Sequence, residues 1–220
     1  MAKARIDMKL ILTPRDIQLI STLSRWRFLI GRQVKELFGF TGQRACDRRL
    51  ERLVKEGYLE RKKIFVAFPS LYFLTVKGKK VGNIKNYSTK HNLDEVEHDI
   101  AVVDTVIYFI KGFGIKLEDI ITEKELHSAD GFGVRKHKPD FVFFDNSRNK
   151  RACVEVEFTA KSKKRFLENV RYNFMNYDEQ IWIVPQSEKR IISLLKETGM
   201  ANQHIVFWET IEKYVRGTKE

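Results

Sequence analysis

The sequence predicts an α/β protein, α+β overall, in two parts with different tasks. Three observations predict it. Basic charge is gathered at one end: residues 1–90 carry 21 Lys and Arg against 7 Asp and Glu, while residues 91–220 carry 20 against 22. Apolar residues keep a helical spacing as far as Gly57 and then switch to the two-residue period of strands. Beyond a polar, aperiodic stretch at 83–92, segments of helix and strand length alternate, as in helices packed around a mixed sheet. These set the expected limits: a domain at 1–82, a linker at 83–92 and a second domain at 93–220. Neither an 18-residue apolar run nor a signal-peptide pattern is visible, and Cys46 and Cys153 lie far apart. A cytoplasmic protein with no membrane association is expected.

The first helix opens at Thr13-Pro14-Arg15-Asp16, with an N-cap hydroxyl, a proline at the first helical position and an acid in the first turn. Ile17, Ile20 and Leu23 are expected on its inner face with Leu19 beside them, and Trp26, Phe28 and Leu29 close the unit. A short helix at 32–38 stops at Gly39. A third runs from about 42 to 56 and stops at Gly57, with Leu50, Leu53 and Val54 inward. Two strands follow, 58–64 and 71–75, around a loop at Phe68-Pro69-Ser70, then a short helix after Thr75. Three helices and a basic hairpin make a winged helix-turn-helix. Its third helix would enter the major groove of double-stranded DNA, where Gln43, Arg44, Arg48 and Arg52 are the candidate contacts. Arg61, Lys62 and Lys63 on the wing would hold phosphates. The plainer alternative makes Arg44, Arg48, Arg49 and Arg52 a solvated helix face.

In the second part Asn92 can cap a helix from Leu93, with Val96, Ile100, Val103, Ile107 and Ile110 as its apolar stripe. Residues 116–137 have no clear period. Strands are expected at 140–144 and 152–158 around a polar turn, then a helix at 162–177. A strand at 180–185, a helix at 188–197 and a strand at 204–208 follow.

The chemistry concentrates between 138 and 165. Pro139-Asp140 opens one strand, and Val154-Glu155-Val156-Glu157-Phe158 forms the other, with both glutamates on one face by strand alternation. Buried carboxylates call for a compensating cation, and a divalent metal is the obvious candidate. An Asp followed a dozen or more residues later by Glu-x-Lys on a strand is the pattern of the PD-(D/E)xK restriction-endonuclease-like fold. Asp140, Glu155 and Glu157 are the candidate catalytic acids and ligands for Mg²⁺ or Mn²⁺. Glu157 stands where that pattern has Lys, so Lys161 is the nearest source of a migrated positive charge. Glu97, or His98, on the preceding helix is a further ligand or base. Ordinary salt bridges to Lys or Arg are the structural alternative for these acids.

Taken together, several short motifs resemble the replication-relaxation family of plasmids and integrative elements, related to MOBC-type relaxases. They are Leu12-Thr13-Pro14-Arg15-Asp16, Arg48-Arg49-Leu50, Tyr72-Phe73-Leu74-Thr75, Glu97-His98-Asp99, Lys138-Pro139-Asp140 and Val154-Glu155-Val156-Glu157. The resemblance implies a winged helix joined to a nuclease-like domain. Such a protein would work as a metal-dependent nickase or relaxase-like nuclease at a replication or transfer origin, with replication or transfer proteins as partners. The alternative is a non-catalytic accessory or transcriptional regulator, its nuclease-like domain used for DNA contact or for a homodimer. No paired histidines suit a rolling-circle relaxase, and no phosphate-binding glycine loop is present. Tyr172 and Tyr177 read as packing or DNA-contact residues rather than nucleophiles. His137, beside Lys138, is placed either to touch phosphate or simply to lie exposed.

Overall fold

Thr13 caps α1 (Pro14–Leu23) through a reciprocal box in which its hydroxyl donates to Asp16 at 2.7 Å and accepts from the Asp16 amide at 3.3 Å. The structure is a computed structural model that describes residues 10–66, 68–85, 95–130, 136–159 and 162–217. It is a mixed α/β protein whose chain divides into two compact units, Met1–Leu93 and Asp94–Glu220. No helix among the described residues is long and apolar enough to cross a membrane.

In the first unit, Leu19, Ile20 and Leu23 of α1 are buried, but Ile17 is 39% exposed, contrary to expectation. At about 100° per residue Ile17 lies roughly 120° round the helix from Leu23, so the stripe centred on Leu19, Ile20 and Leu23 leaves it at the rim. β1 (Leu29–Ile30), α2 (Gly31–Leu37) and α3 (Gln43–Lys55) follow, then β2 (Leu59–Lys62), β3 (Leu71–Leu74) and α4 (Val76–Val81). β3 is central in an antiparallel sheet ordered β1-β3-β2. Cys46, Leu50 and Leu53 turn the inner face of α3 into this core, while Val54 is only half-buried.

Gly57 makes the change from helix to strand possible. It sits at φ +73°, its amide bonds Val54 and the next amide bonds Leu53, which satisfies the last carbonyls of α3. The Thr75 hydroxyl then donates to the Gly57 carbonyl at 2.7 Å and accepts from the Gly78 amide at 3.1 Å, pinning α4 to this turn.

The second unit begins with α5 (Val96–Phe113), with Glu95 at the N-cap position but no side-chain capping bond; the expected start at Asn92 and Leu93 lies outside the described residues, as do 86–92 of the linker. Val96, Ile100, Val103 and Ile107 are buried, and so are Val102, Val106, Phe109 and Asp104, so α5 is enclosed on most of its circumference. β4 (Ile120–Thr122), α6 (Glu123–Ala129), β5 (Phe141–Asp145), β6 (Lys150–Val156) and α7 (Lys163–Asn176) come next. β7 (Glu179–Val184), α8 (Lys189–Thr198), β8 (Gln203–Phe207) and α9 (Trp208–Arg216) complete it. The sheet runs β4-β5-β6-β7-β8, antiparallel as far as β6 and parallel beyond it.

Each face of this sheet has its own cover. Phe109 of α5 lies against Phe141 and Phe143, with ring centroids 6.2 and 5.1 Å away. Phe166 and Val170 of α7 pack on the other face with Trp182, Val184 and the buried side of α8. Glu155 is in register with Trp182, which puts it on the α7 face.

Candidate functional site

Two places carry the residues that the sequence singles out. In the first unit, α3 turns Gln43, Arg44, Arg48, Glu51 and Arg52 to solvent. Gln43 donates to Asp47 at 2.8 Å, one turn along. Arg44, Arg48 and Arg52 make no ion pair among the described residues. Arg49, by contrast, bonds Asp16 through two nitrogens and belongs to the core of the unit. On the hairpin, Arg61 and Lys63 are exposed, whereas Lys62 is half-buried, 3.4 Å from Glu60 and over the Phe73 ring. Beyond β2 the loop presents Phe65 and Val66, 69% and 91% exposed, an apolar tip that the count of charges did not single out.

In the second unit, the acids meet histidines. Asp140 lies just before β5, and its Oδ2 accepts the Val156 amide at 2.7 Å. His98, from the first turn of α5, brings Nε2 to 3.0 Å from the Val156 carbonyl and 3.5 Å from Asp140 Oδ1. Together they clamp the last residue of β6, one at its amide and the other at its carbonyl. Burial works against charge on His98, but Asp140 and Asp99 outweigh it and push the imidazole up to about 11. His98 is therefore a cation here, and it neutralises Asp140.

Glu155 is the deeper acid, 4% exposed. Its Oε1 accepts the Asn173 amide of α7 at 2.9 Å and lies 2.7 Å from His137 Nε2. The His137 approach is close but poorly aligned, since that nitrogen has no directional hydrogen bond. Tyr172 stands edge-on to the His137 ring at 5.5 Å, and its hydroxyl is 3.5 Å from Lys138, which in turn pairs with Asp130 at 2.7 Å. Tyr177 is a buried end-stop to α7 beneath Arg151, and burial first of all pushes its phenol up to about 12.

Glu157 is also 4% exposed, and its amide continues the ladder to Ile183 at 2.9 Å. Glu97 is exposed on α5, with no contact to the other acids among the described residues. Lys161 lies outside the described residues. Sequence reasoning placed His98 near the site but did not pair it, and it did not find Asn173. Both act across the fold, 58 and 18 residues from their partners.

The donor chemistry of Asp140, Glu155 and Glu157, all oxygen, suits a hard divalent ion. Their arrangement is a different matter: among the described residues no three His, Cys, Asp or Glu side chains are grouped so as to hold a metal. An ion shared by Asp140 and Glu155 would draw these acids away from His98 and His137. Comparison with protein-family models, with curated proteins and with solved structures finds no match.

Proposed function

We propose that the chain is a DNA-binding, DNA-processing protein, with a winged helix-turn-helix in the first unit and a restriction-endonuclease-like domain in the second. The observation that carries this reading is the outer face of α3. It keeps Arg44, Arg48 and Arg52 exposed and, among the described residues, without ion pairs, while the neighbouring Arg49 is committed to Asp16. Helix, short strand, two helices and hairpin are the elements a winged helix needs, and α3 is its groove-reading helix. Arginine forks suit guanine edges and phosphates, and Arg61 and Lys63 on the hairpin suit phosphates. Replacing Arg44 and Arg48 together by Ala is expected to lower affinity for duplex DNA by about tenfold or more. Unchanged affinity in a shift assay at fixed salt sinks the reading.

For the second unit we propose a nuclease-like site at a replication or transfer origin of a plasmid or conjugative element. Asp140, Glu155 and Glu157 would hold Mg²⁺ or Mn²⁺, with Lys161 and Glu97 as auxiliary groups. A bound divalent ion there supplies phosphate neutralisation and an acidified water. A second reading, a non-catalytic accessory or regulator, is favoured by one observation: His98 and Asn173 already satisfy Asp140 and Glu155 without a metal. Nicking of supercoiled plasmid with Mg²⁺ or Mn²⁺, wild type against Asp140→Ala, separates the two. DNA binding with no nicking by either protein removes the catalytic reading.

A further inference from the structure

A cavity of about 670 Å³ opens beside the start of α7, between the segment at 136–138 and α6. Four features of it point to one ligand class. Ser162 caps α7 by accepting the Arg165 amide at 3.4 Å, so the amides before it face outward without helical acceptors. The first turn of this 14-residue helix holds no acid. Lys136, Lys164 and Arg165 line the cavity and make no ion pair among the described residues. Asn169 lines it too, one turn below Arg165.

Asn169 is the decisive residue. It is 6% exposed, yet its amide makes no hydrogen bond among the described residues. Its side chain lines the cavity, so whatever fills the cavity, water or ligand, is what that amide bonds. Helix amides, a guanidinium, ammonium groups and a carboxamide together offer many donors to one acceptor-rich anion. Glu123 and Glu168 line the cavity as well, Glu123 3.5 Å from His127, and Lys136, Lys138, Lys164 and Arg165 outnumber them.

We infer that this cavity is a phosphate-binding pocket that receives a backbone phosphate of a DNA strand. The inference rests on the DNA-processing reading and extends it. His137 belongs to the wall of the pocket and touches Glu155, so a phosphate held here lies one side chain away from the buried acid. The pocket would thus set the strand's register beside the carboxylates.

The test uses the full chain, labelled for amide NMR, with inorganic phosphate and then a short single-stranded oligonucleotide as probes. Both are expected to shift the amides of 163–165 and the side-chain amide of Asn169, the oligonucleotide at about tenfold lower concentration or less. The Lys164→Glu/Arg165→Glu pair, both exposed, and the isosteric Asn169→Asp are expected to abolish these shifts. Reversing Lys189 and Arg190 at the start of α8 is expected to leave them unchanged. Shifts with phosphate but not with DNA overturn the proposal in favour of a small phosphorylated ligand. If duplex DNA still binds in an Arg44- and Arg48-dependent way but these signals do not move, the pocket is wrong and the DNA reading stands. No DNA binding at all sinks both.

Discussion

Arg49 of α3 holds Asp16 of α1 in a two-pronged ion pair, Nε donating to Oδ1 at 2.8 Å and Nη2 to Oδ2. The carboxylate is nearly sealed, with a side chain 2% exposed, and Thr13 bonds it as well. One arginine of a basic helix is thereby a fold residue, whereas its neighbours at 44, 48 and 52 stay exposed.

That pair makes a prediction about acid. Burial favours a neutral Asp16, but hydrogen bonds from Arg49 and Thr13 outweigh it and hold the carboxyl below its ordinary value. A depressed folded value gives stability that is present above the unfolded value of about 3.9 and lost as pH falls through the folded one. Arg49→Met should therefore destabilise the protein at pH 7 by about 2–4 kcal/mol, because it strands a buried charge. The deficit should be smaller at pH 2, below the unfolded value. Urea unfolding at the two pH values measures it, and a pH-independent deficit would mean that packing, not charge, was lost.

For DNA binding, Arg44 and Arg48 differ from Arg49 in kind. Arg44→Ala and Arg48→Ala should weaken duplex binding at unchanged thermal stability. Wherever the lost contact is to phosphate, the slope of log affinity against log salt should fall by about one per arginine. Arg49→Met should lower stability while leaving that slope alone. Equal slopes in all three variants would place the interface elsewhere.

Gly78 tests the junction between α3 and the hairpin. A Cβ there would collide with the Tyr58 carbonyl and the Leu74 side chain, and backbone cannot yield as a flexible side chain does. Gly78→Ala should cost about 2–3 kcal/mol despite the better helix propensity of alanine. Gly42→Ala is the control, since a Cβ at Gly42 meets nothing. Comparable loss at both positions in thermal unfolding would rule out the close approach as the cause.

Much of this architecture was legible because its signals are local. Thr13-Pro14, Gly39, Gly57 and Thr75 mark caps and stops, and the stripe from Val96 to Ile107 marks a buried helix face. β1 was missed because two residues carry no period. α6 had a readable signal, the capping box between Thr122 and Glu125, but its seven residues are too few for an amphipathic stripe. The acids at 140, 155 and 157 were found by strand alternation, which tells face but not company. What surrounds a buried carboxylate depends on which helix crosses it, and His98, His137 and Asn173 come from three different segments.

His98 provides the last prediction. Its folded value lies far above the ordinary 6.5, because Asp140 and Asp99 outweigh the cost of burial. The stability it contributes is fully present below the unfolded value, falls steadily as pH rises above it, and is lost once pH has passed through the folded one, near 11. One histidine ring should therefore keep its imidazolium carbon shifts beyond pH 8, where an unperturbed histidine has lost its proton. Asp140→Asn should return that ring to titration nearer neutrality, and His98→Gln should remove the signal. Added Mn²⁺ supplies a second readout: an ion on Asp140 competes with the His98 cation, so it should broaden the ring signals and release a proton on binding. A His98 that titrates near 6.5 in the wild-type protein would mean that Asp140 is neutralised by another group, and that the clamp on Val156 is a hydrogen bond without charge.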